Sequence, residues 1–440
     1  MGSIGRRKMI FEDEEVFFLD LPSSDNVLVY APLRSYLAEV RSGFLDYIKT
    51  ERGKTIFLNL LKAHPLIDIN KIQNNYYRRT PSLSLAITDD CTLRCQYCYF
   101  RAGDTDKRTT MSKDHIRQYI DAYFRQIPCD SIKESDKSIN IAIAAGGEPT
   151  KAFDNFKYAV EYIEACSKQH GYVAKFTMPT NGFYGDEVRQ FIVDHFFQVS
   201  LSMDGPKDIQ DTQRPTANGG SSFQTVYDTA KFFYEHNFKF AIRSTITNYS
   251  IHRMKEIIDF FHENFPNVVI GMERMSEFGR GLKTDIGAPT LSEFKEAISE
   301  SYQYGYKKGA LIKNASLGKS NSLRTSFCLS VAVPNWTVLT DGRITSCTRD
   351  SFPEQFTFGA FDEDSQSILI DEEKISKLRQ MNVFHYKECE TCFAKYNCAG
   401  DCPNLRFASL IDCDANRRLL LERLVYFLKN KKGVNLYGNE

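Results

Sequence analysis

Apolar residues recur along this chain with two different periods, and the switch between them lays out the fold. From residue 83 onward, short apolar runs of strand length alternate with longer stretches whose apolar positions fall three and four apart. The runs at 83–88, 139–145, 174–179, 198–203, 240–246 and 268–272 read as strands. Helices are expected between them, at 113–127, 155–169, 186–196, 223–236 and 252–263. Such alternation predicts a parallel sheet joined by right-handed crossovers. Six strands of this kind predict an α/β fold, a partial (β/α)6 TIM-type barrel open on one side. In parallel α/β folds ligands sit beyond the carboxyl ends of the strands, so the chemistry is expected in the loops that follow them.

The flanking regions read differently. Apolar runs at 16–21 and 27–31 enclose a polar turn, and helical patterns at 43–50 and 55–63 stop at Pro65. Two strands followed by helices predict an α+β cap, or a reduced peptide-recognition module, over residues 1–80. Residues 81–280 then form the core, 281–325 a polar bridge with a helical run at 291–306, and 326–440 a cysteine-rich carboxy-terminal domain. That domain closes on an amphipathic helix at 415–432, with Leu420, Leu421, Leu424 and Leu428 opposite Arg417, Arg418 and Lys429.

Charge narrows the possible partners. Lys+Arg and Asp+Glu both number 56, so no net field attracts nucleic acid or an anionic membrane. No apolar h-region opens the chain and no later run is long enough to span a bilayer, so cytoplasmic residence is expected. Five of the twelve cysteines fall between Cys389 and Cys413, and clustered cysteines in a reducing cell read as metal ligands.

The sharpest signal is Cys91-Thr-Leu-Arg-Cys95-Gln-Tyr97-Cys98, directly after the first strand run of the core. A four-iron cluster takes four ligands, so three close thiolates leave one iron for another ligand. A zinc knuckle would use close thiols too. The spacing C-x3-C-x2-C, with an aromatic before the last cysteine, resembles the radical S-adenosylmethionine (SAM) enzymes, in which SAM chelates the open iron. One βα unit later, Gly146-Gly147-Glu148-Pro149 resembles the SAM-amino-binding turn of that family. The fourth strand run ends in Ser202-Met203-Asp204-Gly205-Pro206, with Arg214 twelve residues after the serine. In the related sulfatase-maturing enzymes the matching serine and arginine contact SAM, and arginine suits a carboxylate. The resemblance thus implies SAM contacts from Tyr97, Gly146, Gly147, Glu148, Ser202, Asp204 and Arg214, with Met275 packing on the adenine.

Seven further cysteines follow: Cys328, then Gly342-x4-Cys347, then Cys389-x2-Cys392-x5-Cys398-x3-Cys402, and Cys413. They resemble the SPASM extension of radical SAM enzymes. By that resemblance Cys389, Cys392, Cys398 and Cys413 hold one auxiliary 4Fe-4S cluster, and Cys328, Cys347 and Cys402 the other. Sulfatase-maturing enzymes carry a further ligand six residues before the Cys328 position, where this chain has Ser322. They also place a catalytic aspartate directly after the Cys347 position, where this chain has Thr348, with Asp350 out of register.

What the resemblance implies is an oxidoreductase with three 4Fe-4S clusters, one binding SAM and two auxiliary. A low-potential donor, flavodoxin or ferredoxin, would reduce it. Its substrate would be a ribosomally made precursor peptide or a protein, and an intrapeptide crosslink the expected product. Asp350 and Glu273 are the candidates for taking up a proton. Formylglycine formation on a sulfatase is the alternative within enzymes, and a zinc-bearing interaction protein the alternative outside them.

Overall fold

The computed structural model describes residues 6–11, 14–21, 24–77, 81–106, 108–126, 138–314, 323–347, 349 and 353–430. Strands β1 (Arg6–Phe11), β2 (Glu14–Asp20), β3 (Asn26–Ala31) and β4 (Tyr36–Arg41) form an antiparallel sheet in that order. β2 and β3 are apolar at successive positions because both faces of the sheet are covered. Phe17, Leu19, Leu28 and Tyr30 pack into one core with Phe393, Leu420 and Leu424, while Val16, Phe18, Val27 and Val29 pack into another with Leu45, Phe57 and Leu61. The sequence pattern predicts only two strands here. It misses β1, which reads Arg-Arg-Lys-Met-Ile-Phe, and the half-exposed β4, since neither carries an unbroken apolar run. Helices Phe44–Tyr47, Glu51–Lys62 and Ile69–Tyr77 follow, the second capped by Thr50, whose Oγ1 accepts from Gly53 N at 3.1 Å.

The larger sheet begins with β5 (Leu83–Leu85), β6 (Ser138–Ile143), β7 (Val173–Thr180), β8 (Phe196–Ser202), β9 (Phe240–Ile246) and β10 (Val269–Arg274). These six lie side by side in chain order, all parallel, with the helices Lys113–Gln126, Phe153–Gln169, Asp186–His195, Phe223–Glu235 and Met254–Asn264 between them. The six predicted strands and five predicted helices are all present.

The sheet extends past them on both sides. From the stretch expected as a bridge, the helix Leu291–Lys308 leads into β11 (Leu311–Lys313), which adds parallel to β10. That helix starts in a capping box of Thr290 with Glu293 and stops at Gly309, whose φ is +80°. On the other side β12 (Trp336–Val338) adds parallel to β5, and β13 (Arg343–Thr345), β14 (Thr357–Asp362) and β15 (Ser367–Ile370) continue antiparallel. The sheet stays open, with β11 and β15 at its edges.

Met1–Tyr77, Ala315–Cys328 and Gln380–Glu440 make one compact unit, and Arg78–Asn314 with Leu329–Arg379 the other. The first unit therefore joins the amino-terminal sheet to Cys389, Cys392 and Cys398 in one core. Among the described residues, no helix is long and apolar enough to cross a membrane.

Candidate active site

The chain leaving β5 forms the cysteine loop. Its base closes where Thr88 bridges to Thr110, their hydroxyls 2.7 Å apart. One arm is stitched to the segment after β8: Arg94 N donates to Pro215 O at 2.8 Å and Gln96 N to Gln213 O at 3.0 Å. Arg94 folds its guanidinium back to donate to the carbonyls of Cys91 (2.7 Å) and Leu93 (3.0 Å). Gly103, at φ +76°, leaves room for it, because a Cβ there would lie 2.3 Å from Arg94 Nη1. The turn after β10 clamps the other arm. Arg280 N donates to Cys98 O and its Nη1 to Cys95 O, each at 3.0 Å, and its Nη2 donates to Ala102 O. Sequence reasoning missed Arg280; its sole signal is the crowding of Gly279, Gly281 and Gly287 around it.

Each sulfur of the loop meets an N–H donor. Asn181 Nδ2 lies 3.5 Å from Cys91 Sγ, Arg214 Nη1 3.7 Å from Cys95 Sγ, and Ala102 N 3.4 Å from Cys98 Sγ. Burial pushes the Cys91 thiol up to about 12, with Cys95 and Glu148 adding to it. Burial likewise raises Cys95 to about 11, against the pull of Arg214. Cys91 and Cys95 thus call for a cationic partner to ionise, and donors aimed at sulfur are how proteins hold and tune cluster thiolates. Among the described residues, no group of three or more His, Cys, Asp or Glu converges tightly enough to hold a single metal ion. A polynuclear cluster needs no such convergence, since each of its thiolates binds a different iron.

After β6, Ala145 and Gly146 take φ of +82° and +77° and turn the chain across the loop. Both glycines border a cavity, and each also lets backbone approach closely. A Cβ at Gly146 would lie 2.7 Å from Thr88 O, and one at Gly147 1.8 Å from Asp90 O. Gly147 N donates to Thr88 O at 2.8 Å and Glu148 N to Asp90 O at 2.9 Å, so the turn is bonded to the segment between β5 and the first cysteine. The Glu148 carboxylate is 3% exposed. It accepts from Asn181 N at 2.7 Å and from the Thr150 and Thr180 hydroxyls at 3.0 Å each. Burial raises its pKa while these hydrogen bonds hold it down.

Asp204 is fully buried and acts as a hub. Its Oδ1 accepts from Thr245 N at 2.9 Å; its Oδ2 accepts from Gln213 Nε2 at 2.7 Å and from the Tyr97 hydroxyl, and lies 3.1 Å from Arg214 Nε in an ion pair. Arg214 stacks over the Tyr97 ring at 5.1 Å, so one carboxylate fixes the aromatic of the cysteine loop and the cation that reaches Cys95. Burial, followed in size by the opposing pull of Arg214, leaves the Tyr97 hydroxyl well above its ordinary pKa.

One cavity at the carboxyl ends of the strands gathers Cys91, Cys95, Cys98, Tyr97, Gly146, Gly147, Glu148, Ser202 and Arg214. Asn181, Arg243, Arg274 and Ser276 also line it. Asp204 stands behind the wall, as does Met275, which is fully buried against Tyr97 and Ile286. Glu273 is outside this group and accepts from Asn314 Nδ2 at 3.2 Å. Asp350, with Thr348 and Ser322, lies outside the described residues.

In the first unit, Cys389 and Cys392 are buried in the core with Phe17 and Phe393, and Cys398 packs against it half-buried. Burial raises Cys389 to about 12, with Cys392 adding to it and Cys413 contributing a smaller push. Cys328 and Cys402 belong to this unit and Cys347 to the other.

Residues 85–261 match the Radical SAM superfamily model, so the chain carries a radical SAM domain, and such a domain implies a 4Fe-4S cluster and SAM. The chain is homologous to anaerobic sulfatase-maturating enzymes. It is 24% identical to the cysteine-type enzyme of Clostridium perfringens over 74% of this chain and 90% of that one. The serine-type enzyme of Klebsiella aerogenes is 22% identical, over 71% and 77%. Among solved structures, anSMEcpe with bound AdoMet shares the fold at a TM-score of 0.58 and 18% identity, covering 80% of this chain and 100% of that one. Streptococcus suis SuiB bound to precursor peptide SuiA does so at 0.53 and 15%, covering 91% and 97%.

Proposed function

We propose that this chain cleaves SAM reductively and takes hydrogen from a ribosomally made peptide to install an intrapeptide crosslink. The observation that carries the reading is the meeting of three donor-supplied sulfurs, a glycine turn and a buried Asp204–Arg214 pair around one cavity. Cys91, Cys95 and Cys98 would hold the SAM-binding cluster. Cys389, Cys392, Cys398 and Cys413 would hold one auxiliary cluster, and Cys328, Cys347 and Cys402 the other. When bound, these groups supply reductive sulfonium cleavage, a carbon-centred radical and acceptors for the electron released as the new bond closes.

The chain's own residues do the positioning. Glu148 is held by four protein donor groups, three of them on Oε1, and braces the glycine turn, with acceptor capacity at Oε2 left for an ammonium group. Arg214, fixed by Asp204, presents a cation beside Cys95, and Ser202 and Arg243 add polar wall. Neighbours bound to precursor peptide SuiA and to the Cp18Cys peptide support a peptide substrate here.

Formylglycine formation is the second reading, favoured by the relatives' names and weakened by Thr348 where those enzymes place an aspartate. Anaerobic incubation with SAM, a reductant and a small peptide encoded beside this gene tests both. Loss of two hydrogens from that peptide is the expected outcome. Formylglycine on a sulfatase peptide, with the neighbouring peptide untouched, would replace the first reading by the second. Zinc without iron or sulfide in the anaerobically purified protein would defeat both.

A further inference from the structure

A second cavity opens against the outer side of the cysteine loop, and Cys91 borders this one as well as the first. Its walls carry three cations, Arg94, Arg108 and Lys151, against one carboxylate, Asp90. That carboxylate is already committed, since Asp90 Oδ1 accepts from Cys91 N at 2.8 Å. Arg94 is committed too, to the carbonyls of Cys91 and Leu93. The other two cations are exposed. Arg108 gives only its Nε to Gly103 O, at 3.2 Å, and Lys151 Nζ has no hydrogen bond or ion pair among the described residues. Phe183 adds an apolar wall beside them. In a chain with 56 cationic and 56 anionic side chains, a mouth of this sign is a local feature rather than a share of a general field.

The first cavity is where SAM and the peptide belong on the reading above, so a protein reductant has to approach the loop from another face. We propose that the Arg94–Arg108–Lys151 mouth is the docking surface for a small acidic one-electron carrier protein. The inference rests on the proposed function and adds the place where its reductant binds. The docked carrier would be oxidised by one electron, which would reduce the iron–sulfur group that Cys91, Cys95 and Cys98 would hold. No proton moves at this surface and no bond forms or breaks. Exposed cations here act through steering and complementarity, so their effect is carried by charge and screened by salt.

The test uses the cluster-loaded protein, an acidic flavodoxin as the probe, and the double substitution Arg108→Glu with Lys151→Glu. Titration at low salt should show flavodoxin affinity falling about tenfold or more, with the difference shrinking as salt rises. 5′-Deoxyadenosine formation driven by limiting reduced flavodoxin should fall in step, and formation driven by dithionite should not. The same charge change at Lys231, on the exposed side of the helix Phe223–Glu235, should leave both unaltered. Unchanged flavodoxin affinity would overturn the proposal, and so would an equal loss with dithionite. Lost affinity for the substrate peptide in place of flavodoxin would overturn it as well, giving the mouth to the peptide. If the parent made no 5′-deoxyadenosine with either reductant, the proposed function would fail, and the affinity comparison would still decide the docking surface.

Discussion

The two cysteine regions solve one problem in opposite ways. In the loop Cys91–Cys98 the thiols lie within eight residues and their support is polar: Asn181, Arg214 and Ala102 reach the sulfurs, while Arg94 and Arg280 grip the carbonyls between them. In the set from Cys389 to Cys413 the thiols are spread along the chain and rest mainly on an apolar core, with Arg417 Nη1 4.0 Å from Cys392 Sγ as a polar contact. Cys389 and Cys392 stand on Phe17, Tyr30 and Phe393, with the Tyr30 hydroxyl donating to Asn397 Oδ1 at 2.7 Å and Lys395 Nζ 2.6 Å from Glu15 Oε2. The first region carries its geometry in its own spacing. The second borrows geometry from a sheet almost four hundred residues earlier in the chain.

The strongest way to break the comparison is to remove the first region's thiols. Replacing Cys91, Cys95 and Cys98 together by alanine should abolish 5′-deoxyadenosine formation while leaving iron and sulfide at the carboxy-terminal set. Retained cleavage would show that the loop is not the site of the chemistry. Next in size is Asp204→Ala, which strands a buried guanidinium and should cost about 3–5 kcal/mol by the logic of broken buried pairs, read by denaturant unfolding. A cost near zero would mean that Arg214 finds another partner, and with it the hub role fails. Phe17→Ala should open a cavity under Cys389 and Cys392 at about 3 kcal/mol. Iron should drop by the auxiliary share alone, with SAM binding kept. Equal loss from both regions would contradict their separate support.

The same contrast explains what the sequence could tell. The strands β5 to β10 and the motifs after them are legible because a local period and a short spacing suffice to mark them. Glu148 and Asp204 are legible as loop residues at the strand ends, yet their tasks are not: a tetrapeptide does not reveal that Gly147 packs on Asp90 O, or that Asp204 faces Tyr97 rather than the cavity. Arg280, Asn181 and the mates of Cys389 in β2 and β3 act across loops or cores, and nothing in their immediate neighbourhood encodes the partner. β11 and β12 escape for another reason. Each is three residues long, too short to show a period, and is a strand because a longer neighbour offers it a ladder.

The smallest expected effect sharpens the polar side of the comparison. Asn181 Nδ2 bridges Cys91 Sγ at 3.5 Å and Thr92 Oγ1 at 3.0 Å, while its own backbone N–H is taken by Glu148. Asn181→Ala therefore removes one donor from one sulfur and leaves the backbone bond that holds the turn. A donor at a thiolate favours the more negative, reduced cluster, so its loss should move the reduction potential downward. One hydrogen bond contributes about 0.5–1.5 kcal/mol, which for a one-electron couple corresponds to roughly 20–60 mV. Potentiometric titration followed by electron paramagnetic resonance should find that shift in the SAM-binding cluster and none in the auxiliary signals. A shift upward would mean that Asn181 stabilises the oxidised form, and the polar support of this loop would then serve to hold the sulfurs in place rather than to tune them.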